Sequence, residues 1–128
     1  MNTKIKLTAQ EIESELAQYY GTENYYKHYI PSMVYTDGIQ AMAKMCEAYW
    51  LIDVVASYQT IKFQTANSFQ VWKITKKPTR TYPEKYVVEC SDGNGNVLQK
   101  QTIKFSDFPL EEIKMYVVDG VMMLPSEY

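Results

Sequence analysis

Nowhere do apolar residues run for the ~20 positions that a membrane-crossing helix needs, so no membrane partner is expected. The first eight residues, Met1 to Thr8, hold no apolar signal core, which predicts no export and a cytoplasmic location. Cysteine is scarce: Cys46 and Cys90 lie far apart and are expected as free thiols. Histidine is scarcer, with His28 alone, and one histidine with two remote cysteines matches no zinc-ligand spacing. No metal or other cofactor is therefore expected. The formal net charge of −2 is too small, and of the wrong sign, for broad attraction to phosphate backbones. Phosphate-loop and dinucleotide signatures, internal repeats, low-complexity tracts and interdomain linkers are all absent.

What is present is a chain of 128 residues, 46% hydrophobic and 22% charged, which suits one domain, 1–128, with a real core. Its densest apolar run is Glu47 to Gln59, too long for a strand and read as a helix buried on several sides. Tyr49, Trp50, Asp53, Val54 and Ser57 share one of its faces, with Trp50 as the expected core anchor. Upstream, Thr8-Ala-Gln-Glu11 is a capping box that opens a helix over about Ala9 to Tyr20, stopped by Gly21. Thr22 can cap a second helix, Glu23 to Ile30, closed by Pro31. Met33-Val34-Tyr35 reads as a short extended piece. Thr36 or Asp37 can cap a third helix with Ile39, Met42, Ala43 and Cys46 inward, and a bend is expected near Glu47.

After Gln59 the pattern turns to period two. Phe69 to Lys76, Tyr86 to Ser91 and Val97 to Phe105 read as strands, and Lys77 to Pro83 as a loop. Asn94-Gly95 predicts a two-residue hairpin turn that places Glu89 opposite Lys100 and Tyr86 opposite Ile103. Tyr86, Val88, Cys90 and Ile103 then face the core. Asp119-Gly120 predicts a second hairpin, between Ile113–Val118 and Val121–Leu124, apolar on both faces and so expected to be covered twice. A homodimer through 113–124 is one such cover. Together these elements predict an α+β domain: N-terminal helices packed on an antiparallel sheet of about five strands, mostly in meander order.

Several chemistries can be weighed on the residues. Asp92-x-Asn94-x-Asn96 starts like an EF-hand loop but has Val97 where glycine is needed and Ile103 where the bidentate glutamate belongs. A Cys46–His28–Asp37 arrangement is one route to a small hydrolase, against which Cys46 reads as core. Asp53, a carboxylate in an apolar helix, must find partners; Tyr49 and Ser57 lie one turn away on either side, so a hydrogen-bonded structural acid is favoured over a catalytic one. Twelve residues are tyrosine, five of them between Tyr19 and Tyr29. Tyr25, Tyr26, Tyr29 and Tyr35, with His28 between, cannot all face inward from a short helix and form a candidate binding surface. Lys73, Lys76, Lys77 and Arg80, with Lys85 and Tyr82 near, form a basic segment able to meet nucleic acid or an acidic protein. The plainer use is a solvated sheet edge.

The blocks Gly21-Thr-Glu-Asn-Tyr-Tyr-Lys-His28, Tyr35-Thr-Asp-Gly38, Ala48-Tyr-Trp-Leu-Ile-Asp53 and Phe69-Gln-Val-Trp72 resemble a family of short, uncharacterised bacterial proteins. Asp92-Gly-Asn-Gly-Asn-Val97, Ser106-Asp-Phe-Pro109 and Leu124-Pro-Ser-Glu-Tyr128 extend the resemblance to the last residue. Many such proteins are associated with phages and plasmids and are carried as a domain of unknown function. The resemblance implies no activity, cofactor or catalytic residue. It implies a mobile-element setting, in which small non-enzymatic proteins often bind and block a bacterial protein, CRISPR nucleases among them. The expected function is thus an inhibitor or modulator of an unknown bacterial protein. A nucleic-acid-binding accessory protein using the basic 73–85 segment, or a small hydrolase using Asp53 or Cys46, stands as the alternative.

Overall fold

The computed structural model describes residues 7–128; of the eight residues behind the export expectation, the first six lie outside them. Helix α1 (Ala9–Leu16) opens on the expected capping box. The Thr8 hydroxyl accepts from the Glu11 amide at 3.1 Å, and the Glu11 carboxylate accepts from the Thr8 amide at 2.8 Å. It ends four residues before the Tyr20 expected of it, because Gln18 and Tyr19 turn tightly onto Glu15 and Leu16 and leave Tyr20 in solvent.

The expected helix Glu23 to Ile30 is instead a strand, β1 (Tyr25–Lys27), paired antiparallel with β2 (Val34–Thr36). The amides of Glu23 and Asn24, which would have opened a helix, donate to the Asp37 carboxylate at 2.9 and 3.2 Å. A carboxylate on those amides would not by itself oppose a helix; the strand is fixed by the pairing of Tyr25, Tyr26 and Lys27 with Thr36, Tyr35 and Val34, in which the tyrosine run follows its preference for a pleated surface. Thr36 then caps α2 (Asp37–Met45), whose Ile39, Met42 and Ala43 are buried. The expected bend falls at Glu47, which takes φ 52°.

Helix α3 (Tyr49–Ser57) follows. Leu51, Ile52, Val55 and Ala56 are its buried face, whereas Tyr49, Asp53 and Ser57 lie in solvent. It is one member of a helical layer and so has a wet side, which corrects the expectation of burial on several sides. Trp50 is only half-buried, edge-on to Phe108, and the fully buried indole is Trp72. A further helix, α4 (Ile61–Ala66), capped by Thr60, had no counterpart in the period-two reading.

The sheet has seven strands rather than about five. To β1 and β2 it adds β3 (Phe69–Lys76), β4 (Tyr86–Ser91), β5 (Val97–Ile103), β6 (Glu112–Val118) and β7 (Val121–Met123), in the order β1-β2-β7-β6-β3-β4-β5. β1-β2, β3-β4-β5 and β6-β7 are meander steps. β6 returns to the far side of β3, and β7 pairs parallel with β2, so the sheet is mixed.

The β4–β5 register places Glu89 opposite Lys100 and Tyr86 opposite Ile103, as expected, but by a different route. The Asp92 amide donates to Asn96, closing a three-residue loop in which Gly93 and Gly95 take positive φ. That loop alone would shift the ladder by one residue; a bulge at Cys90/Ser91 restores it. Asp119-Gly120, both at positive φ, is the expected tight turn between β6 and β7.

The described helices α1 to α4 lie on one side of the sheet. Trp72, Ile74, Tyr86, Val88, Cys90, Met115, Val117 and Met122 face them and are buried with them in one core. Within it Gln59 and Gln70 form a reciprocal amide pair (2.7 and 3.0 Å), and the Trp72 indole N–H donates to Gln70 Oε1 at 2.8 Å. The α+β class thus stands; the strand count, the order and the all-antiparallel pairing do not.

Candidate binding face

Alternation along β1 and β2 divides the tyrosine group. Tyr26 and Tyr35 are cross-strand partners on the helix side, their rings stacked at 5.5 Å. The Tyr26 hydroxyl donates to Asp37 at 3.0 Å, and this bond to a carboxylate raises its pKa. Burial raises that of Tyr35. Tyr25 faces the other side and Tyr29 sits beyond the strand against the His28 ring, both well exposed. The tyrosines therefore form no common surface.

His28 joins a residue far away in sequence. Its Nε2 lies 2.7 Å from Asp53 Oδ1, and its Nδ1 accepts from the Ile30 amide at 3.0 Å. An acceptor at Nδ1 leaves the ring proton on Nε2, directed at Asp53. Asp53, expected to need a partner in an apolar setting, lies in solvent and is met by His28 rather than by Tyr49 or Ser57. Both ring nitrogens are occupied, so neither is free to activate a nucleophile. The Cys46–His28–Asp37 arrangement is not assembled: Cys46 is buried, and Asp37 holds the 23–26 segment. Burial pushes the Cys46 and Cys90 thiols up to about 12. Among the described residues no group of three or more His, Cys, Asp or Glu could hold a metal ion.

Among the described residues the sheet's second face carries no helix. Two adjoining hollows cross it, of about 310 and 410 Å³, sharing Lys73 and Glu89 and so forming one furrow. The register builds it row by row. Lys114, Lys73, Glu89 and Lys100 are successive cross-strand partners over β6, β3, β4 and β5. Lys77 and Lys85 line one end of the furrow, and Glu112, 3.9 Å from Lys73, is its second acid. At the other end stand Phe69, Tyr116 and Tyr128, with ring centroids 5.1 to 5.7 Å apart and inclined at 55 to 90°. Val118, Val121 and Met123 extend the half-exposed apolar area. Tyr128 partly shields this second face of the 113–124 hairpin.

Of the four basic positions singled out in the sequence, Lys73 and Lys77 line the furrow. Lys76 alternates to the other side, opposite Tyr86, and Arg80 stays out on the 77–85 loop. Lys114, Phe69 and Tyr128 were not singled out, and Lys100 was read only as the partner of Glu89, because which strand lies beside β3 was unknown. Their signal was the alternation itself, which becomes a surface only once β6 is set beside β3.

Three of the motif blocks, 21–28, 35–38 and 124–128, meet at one joint. Thr22, Glu23, Asn24 and Tyr26 converge on Asp37, whose carboxyl the Glu23 amide above all holds down to about 2. On the same turn Glu127 accepts from the Thr36 hydroxyl (2.6 Å) and the Gly38 amide (3.0 Å). A Cβ on Gly38 would come within 2.4 Å of that carboxylate, so glycine is what admits it. Asp37 and Glu127 thus tie the 21–28 and 124–128 blocks to α2, and architecture accounts for those blocks. No curated protein and no solved structure matches the chain. A family model does, over residues 10–128, a span that takes in both sides of this joint and every strand of the sheet, and the chain belongs to that family, the family of unknown function DUF6876.

Proposed function

We propose that the chain is a protein-binding domain whose working surface is the helix-free face of its sheet, and that it acts in the cytoplasm as a phage- or plasmid-carried inhibitor or modulator of a bacterial protein. One observation carries the reading. The seven-stranded sheet buries the centre of one face under the helices and leaves on the other a partly exposed area of Phe69, Val71, Tyr116, Val118, Val121 and Met123. Continuous apolar surface of this kind on a small domain is characteristic of a contact site. The occupied nitrogens of His28 and the buried thiols favour binding over hydrolysis.

Photo-crosslinking tests it. A benzoylphenylalanine placed at position 71 should trap a discrete protein from a bacterial lysate, and the same group at the exposed position 61 on α4 should not. Equal products from both positions, or none from position 71, would refute the assignment. The nucleic-acid reading has the lysines of the furrow in its favour; it requires affinity that falls steeply with salt and crosslinks to RNA or DNA.

A further inference from the structure

Resting on the protein-binding reading, we infer that the surface received by this face is acidic: a carboxylate-bearing segment along the Lys114–Lys73–Glu89–Lys100 row, with an apolar side chain against the Tyr116 and Tyr128 rings.

The charge count points that way. Five lysines line the furrow against two glutamates, whereas the whole chain carries −2. The excess of positive charge is gathered on one face and the rest of the molecule is correspondingly acidic. The row also contains a local conflict. Lys73 and Lys114 are direct cross-strand partners, an arrangement of like charges that weakens a sheet. Lys73 leans instead towards Glu112 at 3.9 Å, a loose contact between two well-solvated groups. Glu89, the other cross-strand partner of Lys73, offsets part of this repulsion, and a partner carboxylate between Lys73 and Lys114 would remove the rest and add a charge-assisted hydrogen bond.

Two other occupants fit less well. A second copy docked about a twofold axis would set this furrow against its own image, an excess of positive charge facing an equal excess. A nucleic-acid strand needs ring faces open for stacking, but the trio is packed edge to face, and Glu89 interrupts the row where a phosphate would lie. The forked donors best suited to phosphate are missing as well, because the only arginine, Arg80, is off the furrow.

The test uses the full chain and three labelled probes: a peptide of alternating glutamate and phenylalanine, the same peptide with lysine for glutamate, and an oligothymidylate of about 15 nucleotides. Fluorescence anisotropy should show the glutamate peptide binding at least about tenfold more tightly than either of the others. The double variant Lys73→Glu, Lys100→Glu should lose that peptide and gain the lysine one, a gain that also shows the variant folded. Lys62→Glu, on α4, should change nothing. Preference for the oligonucleotide would overturn both the acidic partner and the protein-binding reading. Self-association abolished by the double variant would assign the face to a second copy and overturn the inference. An undiminished protein crosslink from position 71 in the double variant, or no binding of the glutamate peptide, would overturn the acidic partner while leaving the protein-binding reading standing.

Discussion

Replacing Gln70 by leucine isolates the polar knot inside the core. Gln70 is 1% exposed, and its amide makes four hydrogen bonds: Oε1 accepts from Gln59 and Trp72, and Nε2 donates to Gln59 and to the Asn67 carbonyl. In Gln70→Leu, Gln59 keeps the Gln64 amide at 3.1 Å and a long contact to the Val55 carbonyl at 3.4 Å. Trp72 Nε1 keeps nothing. An orphaned buried donor costs about 1–3 kcal/mol, and the weakened Gln59 amide roughly 1 more, so a loss of about 2–4 kcal/mol is expected. Leucine restores part of this by burying apolar surface, which makes the single variant ambiguous, so the decisive quantity is a double-mutant cycle with Trp72→Phe. Phenylalanine has no N–H to strand, so Gln70→Leu should cost at least about 1 kcal/mol less in that background. Urea unfolding followed by circular dichroism, with equal slopes in all four proteins, gives the four free energies. Additivity within about 0.5 kcal/mol would refute the claim that the indole depends on Gln70.

Three further outcomes are expected. The Asp37 carboxyl is held at about 2 in the fold against an ordinary 3.8, so its contribution is fully present above pH ~4 and is lost as pH falls towards 2; the urea midpoint of Asp37→Asn should be flat over that window relative to wild type. Glu127→Ala should cost about 1–3 kcal/mol, and distinctly less in a Gly38→Ala background, where the new Cβ has already displaced the carboxylate; full additivity in thermal melts would contradict the joint. Trp72→Ala should cost about 3–5 kcal/mol and Trp50→Ala clearly less, since only the former indole is sealed in the core; the reverse order of melting temperatures would show the burial to be misassigned.

Where a local signal and the tertiary environment agreed, the sequence was readable. Thr8 with Glu11, the bounds of β3 and β4 and the Asp119-Gly120 turn all depend on neighbours a few residues away. The β4–β5 register was reached although its turn was misread, because alternating burial of Tyr86, Val88 and Cys90 constrains pairing more strongly than loop length does. Residues 23–30 were illegible for a definite reason. Their extended form is set by pairing with Val34–Thr36, and no local pattern shows that this segment lies beside them. The His28–Asp53 contact and the furrow were hidden likewise, since both depend on which strand lies beside which. No periodicity announces that β6 flanks β3, or that β7 lies parallel to β2.

The parallel β2–β7 pair sets the order in which the molecule can assemble. β1 and β2 are made early, yet they join the sheet only through β7, and the Thr36–Glu127 bond that fastens them spans 91 positions. During synthesis the β3–β4–β5 meander can form while β1–β2 is still an isolated hairpin, which is at best marginally stable in water. Closure waits until Glu127 has left the ribosome. Such long-range pairing pays its chain entropy before any contact rewards it, which places folding in the slow range of roughly milliseconds to seconds. Until then the β2 edge stands open, and the nascent chain is at its most vulnerable to pairing with a neighbour.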